Sequence, residues 1–169
     1  VMRHTDTTAR NCAAFGYNDG ATGRCMAHLP YLDGTIYWDY VDATDGSGRI
    51  SVAGGGKTTN ITSYTFIAGG GKGREIWRDG ILLASNIAAT AGSRPATAFP
   101  FVVGNAPGIN APDSAEYYML LVVKRAWSDA ECVEWSENPW SIYDMPDEPY
   151  FMPIIPGAAA ASGNMIIMF

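Results

Sequence analysis

The chain has 169 residues, 17 of them acidic and 11 basic, for a formal net charge of −6 and a pI of about 4.7. That balance excludes a protein built to hold a nucleic-acid backbone, which needs clustered Lys and Arg. Hydrophobic residues make up 47% and charged residues 17%, which excludes a disordered chain, and the length fits one domain.

In chain order, residues 1–10 are polar and Thr-rich and read as a first edge strand or an arm. Cys12–Tyr17 reads as a strand of small residues, and Asn18-Asp19-Gly20 as a turn that tolerates positive φ. Cys25–Leu29 is the next strand, and Pro30–Gly34 turns the chain. Thr35–Val41 alternates, with Ile36, Trp38 and Tyr40 on one face and Tyr37, Asp39 and Val41 on the other. Arg49–Ala53, Ser63–Ala68 and Glu75–Arg78 follow as strands. Asp79-Gly80 is a hairpin turn signal, and Ile81–Ser85 is the returning strand. Residues 87–98 read as a surface connection and Phe99–Gly104 as a strand with an edge-type proline. Tyr117–Val123, an unbroken run of large apolar residues, reads as a strand covered on both faces. Ser128-x-x-Glu131 is a capping box that starts a short helix, and Asn138-Pro139 ends it. Cys132, Trp135 and Trp127 are the expected apolar contacts of that helix.

Eight to ten short strands with turns every 8–12 residues predict an all-β sandwich or barrel. After Tyr143 the character changes. Pro146, Pro149, Pro153 and Pro156 exclude helix and central strand, yet Tyr150, Phe151, Ile154, Ile155, Met165, Ile166, Ile167 and Phe169 are too apolar to stay in water. Residues 1–143 are therefore read as one domain and 144–169 as an extended arm that packs on that domain or on a neighbour. No signal peptide and no run of about twenty apolar residues is legible, so no membrane partner is expected. Cys12, Cys25 and Cys132 lack metal-type spacing. They read as three buried free thiols, with a Cys12–Cys25 bridge as the alternative.

Several segments carry a family resemblance: FGYNDG, AHLPYLDGTIYWDY, GRISVAG, IWRDGILLASN, FVVGNAPG, and the closing WSDAE…NPW. Over roughly residues 12–143 the chain resembles the concanavalin A-like, laminin-G-type jelly rolls found in many bacteriophage structural proteins. The resemblance implies an all-β fold of two packed antiparallel sheets, a jelly-roll sandwich closed by one short C-terminal helix; the extended Pro-rich tail lies outside the family pattern. It also implies a place in a virion assembled in the host cytoplasm, as a capsid decoration (cement) protein or a tail or fibre component. The partners would be other virion proteins and copies of the chain itself. A carbohydrate-binding module is the alternative.

Chemistry has little support in the sequence. Fold relatives include glucanases, which use paired carboxylates on one strand face. Asp39 has no second carboxylate two residues away, and Glu131, Glu134 and Glu137 read as a solvated helix face. His4 and His28 read as sheet histidines. Asp39, Asp42 and Asp45 match no calcium-loop spacing, and the glycine runs at 54–56 and 69–71 lack the context of a phosphate loop. No catalytic residue, metal or cofactor is expected. The glycan-contact candidates are Tyr31, Tyr37 and Asp39, with Tyr37 and Asp39 a polar-aromatic pair on the face opposite Trp38; core packing or a subunit contact is the competing reading of the same residues.

Overall fold

The structure, a computed structural model, describes residues 1–17, 24–41, 48–69, 71–88, 101–104 and 113–143. Ten strands and one α-helix occur among them. The strands are β1 (Met2–His4), β2 (Phe15–Tyr17), β3 (Arg24–His28), β4 (Ile36–Val41), β5 (Arg49–Val52), β6 (Tyr64–Ala68), β7 (Arg74–Arg78), β8 (Ile81–Asn86), β9 (Val102–Val103) and β10 (Ala115–Tyr117). The helix α1 (Asp129–Glu137) is followed by a 3-10 turn at Pro139–Tyr143. All strand pairing is antiparallel, in a five-stranded sheet β5-β4-β3-β2-β9, a three-stranded sheet β6-β7-β8 and a two-stranded sheet β1-β10. A backbone bridge from Met2 to Thr62 runs on from β1 towards the start of β6. The fold is thus all-β apart from one short helix.

The alternation along β4 decides where the core lies. Ile36 and Trp38 are buried with Ala27 of β3, Ile50 of β5 and Ile76 of β7 in one cluster, and Phe15, Tyr40, Tyr64 and Phe66 pack around it. Trp38 and Phe66 lie 5.3 Å apart at 45°, and Phe15 meets Phe66 edge-on at 5.6 Å. The same faces of the two larger sheets therefore share one apolar interior. Each such fully buried aliphatic side chain stabilises by about 1.5–3 kcal/mol relative to exposure. On the far face of the three-stranded sheet, Ile67 and Trp77 are covered by Cys132 of α1, with Ala126 and Trp127. Trp127 packs edge-on to Trp135 at 5.4 Å.

Local signals act as expected at several points. Asp79 and Gly80 both take positive φ, 49° and 74°, as a two-residue hairpin turn requires. The Ser128 hydroxyl accepts from the Glu131 N–H while the Glu131 carboxylate accepts from the Ser128 N–H, which completes the capping box. Gly16 has φ 139°, and a Cβ there would stand 2.1 Å from the Cys25 carbonyl oxygen, so only glycine lets β2 lie this close to β3. All three cysteines are free thiols.

Two expectations are corrected. Tyr117–Val123 is not a strand covered on both faces: β10 stops at Tyr117, and Val122 and Val123 are 43% and 36% exposed. The run pairs only at its beginning, where the Tyr118 and Met119 N–H groups donate to the Val1 carbonyl. A run of β-formers without a ladder partner among the described residues does not make a strand. Cys12–Ala14 likewise precedes β2 instead of belonging to it, although the Ala14 N–H donates to the Ala27 carbonyl. The arm candidates Tyr150, Phe151, Ile154, Ile155, Met165, Ile166, Ile167 and Phe169 lie outside the described residues.

Candidate functional site

The face of the five-stranded sheet turned away from the shared core is organised by Asp39. Register places Asp39 opposite Met26 on β3 and Arg49 on β5. Its carboxylate is fully buried. Arg49 grips it with two N–H donors, Nε to Oδ1 at 2.5 Å and Nη2 to Oδ2 at 2.7 Å, and Arg24 Nη1 donates to Oδ2 at 3.1 Å. A forked guanidinium matches a carboxylate in both spacing and charge. The Arg49 guanidinium also lies 4.4 Å above the Tyr37 ring, a cation–π contact.

Tyr37 continues this face. Its hydroxyl donates to Asp33 at 2.7 Å, which holds the Asp33 carboxyl below its usual range. Tyr31, Tyr37 and His28 form a three-ring cluster: His28–Tyr31 at 5.1 Å, Tyr31–Tyr37 at 5.9 Å and His28–Tyr37 at 6.1 Å, all edge-to-face. His28 is buried, its Nδ1–H donates to the Cys12 carbonyl at 2.7 Å, and its Nε2 lies 3.9 Å from Asp39. Burial pushes its pKa down, with the Cys12 bond and Asp39 opposing. Alternation along β4 thus puts Tyr37 and Asp39 on one face, and Tyr31, which precedes the strand, reaches Tyr37 through its ring contact. Asp39, however, faces two arginines and not solvent, and the accessible carboxylate beside Tyr37 is Asp33.

A second constellation left no signal in the sequence. The buried Asp113 side chain accepts from the Tyr117 hydroxyl at 2.7 Å, from the Cys12 thiol at 3.5 Å and from Lys57 Nζ at 3.4 Å. His4 Nε2 stands 3.9 Å from it, and donates to the Leu29 carbonyl at 2.5 Å. Cys12, His4 and Asp113 have the composition of a nucleophilic triad but not its chemistry. Burial pushes the Cys12 thiol up to about 12, and a thiol that stays protonated at neutral pH is a poor nucleophile. The His4 ring proton is also committed to a backbone carbonyl. The cluster ties β1, the segment before β2 and the start of β10 together.

Two pockets among the described residues have volumes of about 150 and 290 Å³, one beside Arg125, Trp127 and Glu131, the other beside Arg3, His4 and Thr59. Both fall below the roughly 300–1,000 Å³ of small-molecule sites. Among the described residues no group of three or more His, Cys, Asp or Glu side chains is placed to hold a metal ion; Asp42 and Asp45 lie outside them. No helix of the described residues is long and apolar enough to cross a membrane.

The site therefore belongs to an all-β fold, and its two buried carboxylates, Asp39 and Asp113, each meet a basic side chain. No protein-family model, curated protein or solved structure matches the chain.

Proposed function

We propose that the chain is a non-enzymatic structural protein of a bacteriophage virion, a capsid decoration or a tail or fibre component, that works through protein–protein contacts. The observation that carries the assembly role is the apolar surface. Leu32, Ile61, Ile81, Leu82, Ile87 and Trp140, among other large apolar side chains, are exposed on a chain with few charges to solubilise them. The word virion rests on the resemblance of the FGYNDG, IWRDGILLASN and WSDAE…NPW segments to phage jelly rolls.

The finer fold reading belongs with this proposal. In this reading the Met2–Thr62 bridge joins β10-β1 to β6-β7-β8 as one layer, with β5-β4-β3-β2-β9 as the other and the cluster around Trp38, Phe66 and Ile76 between them. This supports a two-sheet, concanavalin A-like jelly roll. In this reading residues 144–169 are the arm that docks on a neighbouring protein through Ile154, Ile155 and the Met165–Phe169 run. The test is light scattering of the full chain beside an Ile154→Asp/Ile155→Asp variant. A fall in mass with unchanged circular dichroism supports the arm, and an unchanged oligomer removes it.

A second reading has one observation in its favour: the Tyr31–Tyr37 ring pair with the exposed Asp33 carboxylate beside it. Ring faces beside an acceptor suit a glycan. Saturable binding on a glycan array, lost in Tyr37→Ala, is the result that favours it.

A further inference from the structure

We propose that the side chains of Lys57 and Asp113 join in an amide bond, formed within the folded chain, that staples the connection between β5 and β6 to the start of β10. The inference is independent of the assembly role.

The case begins with a contrast between the two buried carboxylates. Asp39 is held by guanidinium groups, which stay charged and do not act as nucleophiles. Asp113 is held by an amine: Lys57 Nζ lies 3.4 Å from its Oδ1, and both side chains are 0% exposed. The other lysines differ. Lys72 meets Glu75 and Asp129, but its side chain is 21% exposed, and Lys124 is exposed. Lys57 is the lysine that shares a site closed to water with a carboxyl group.

β1 holds the two reactants together. The His4 N–H donates to the Thr58 carbonyl at 3.2 Å, and the Thr5 N–H donates to the Ser114 carbonyl at 2.8 Å. The neighbours of Lys57 and Asp113 are thus pinned to consecutive residues, one past each side of the strand. Lys57 Nζ also donates to the Ser114 hydroxyl at 3.0 Å. Two groups fixed in contact react as if each were present at an effective concentration of about 10⁵–10⁸ M.

The surrounding groups suit the reaction. In a site closed to water the neutral amine and acid compete with the ion pair, and a desolvated lysine is a nucleophile. One proton passes from Nζ to Oδ1, and the free amine attacks Cγ. As the C–N bond forms, negative charge builds on Oδ2, which already accepts from the Tyr117 hydroxyl at 2.7 Å. Burial pushes the Tyr117 pKa up, so that hydroxyl stays protonated and remains a donor to the oxyanion. The Cγ–Oδ1 bond then breaks, and Oδ1 leaves as water with two of the three ammonium protons. The third stays on the amide nitrogen. Nothing is oxidised or reduced, and no co-reactant is consumed. The Cys12 thiol, 3.5 Å from Oδ1, is a second neutral donor to the group under attack.

Intact-mass spectrometry of the full chain, followed by proteolysis of the denatured protein, tests this. The expected mass is below the sequence value by one water, and digestion yields one branched peptide that joins Lys57 to Asp113. Lys57→Arg keeps the charge but has no amine to attack with, so it shows its full sequence mass. A native chain that is folded by circular dichroism and keeps its full sequence mass overturns the staple. So does a Lys57→Arg protein that still loses water, or a lost water that maps to a linear peptide, as cyclisation at Asp33-Gly34 would give.

Discussion

The Trp38 indole donates its Nε1–H to the Ile67 carbonyl at 2.9 Å, a buried bond that crosses the interior from β4 to β6. It is a directional link within an otherwise apolar contact, and it fixes how the β6-β7-β8 sheet sits on the five-stranded one. Trp38→Phe keeps an aromatic ring but leaves that carbonyl without its tryptophan donor. The expected loss is about 2 kcal/mol, from the lost hydrogen bond and the smaller ring. Urea unfolding reads it as a lower midpoint at constant m; an unchanged midpoint contradicts the linking role.

Asp39 stands between Arg24 and Arg49, so Asp39→Asn leaves two partly buried guanidinium groups without their counter-charge. Breaking a buried pair from one side costs about 3–5 kcal/mol. Arg49→Lys keeps the charge but loses the fork, and its cost is smaller. The order of the two midpoints in denaturant checks the assignment, and an Asp39→Asn protein as stable as the native one refutes it.

The two histidines make the fold sensitive to acid. His4 and His28 each donate to a buried carbonyl, Leu29 and Cys12 respectively, and burial lowers both pKa values below 6.5. Around His4 stand Asp113 and Lys57, and around His28 stand Asp39, Arg24 and Arg49. The unfolded chain takes up these protons more readily than the folded one. The contribution of the two histidines is therefore complete above pH 6.5 and falls as the pH drops from there towards the folded values, by up to about 1.4 kcal/mol per pH unit for each histidine. A His4→Gln/His28→Gln variant loses the histidine slope, as urea midpoints between pH 5 and 7.5 would read. Equal slopes in both proteins would remove the histidines from the account.

Ser128 begins α1 by a bond that alanine cannot make. Ser128→Ala costs about 1 kcal/mol, and Ser128→Asp restores most of it. Thermal unfolding separates the two variants, and identical melting temperatures would show that the cap is idle. The loss falls on packing beyond the helix, because Cys132 holds the far face of the three-stranded sheet.

Much of this protein is written in short stretches of its sequence. The alternation over Ile36–Val41, the Asp79-Gly80 turn and the Ser128–Glu131 capping box each act over a few residues, and each produces the element its chemistry specifies. They also place Tyr37 and Asp39 together on the face opposite Trp38. What Asp39 meets there was decided by the fold, since its partners arrive from β3 and β5, and pairing register turns both arginines inward. Tyr117–Val123 fails as a strand for the same reason. β-propensity prepares a segment for a ladder, but the ladder needs a neighbour, and β1 supplies one only as far as the first few residues. Cys12 and Asp113 are 101 positions apart, so no local pattern announces their contact. Periodicity, turns and caps are local and so belong to the sequence itself. Desolvation, ion pairing and the neighbour of each strand depend on residues far along the chain, and only the tertiary structure brings these together.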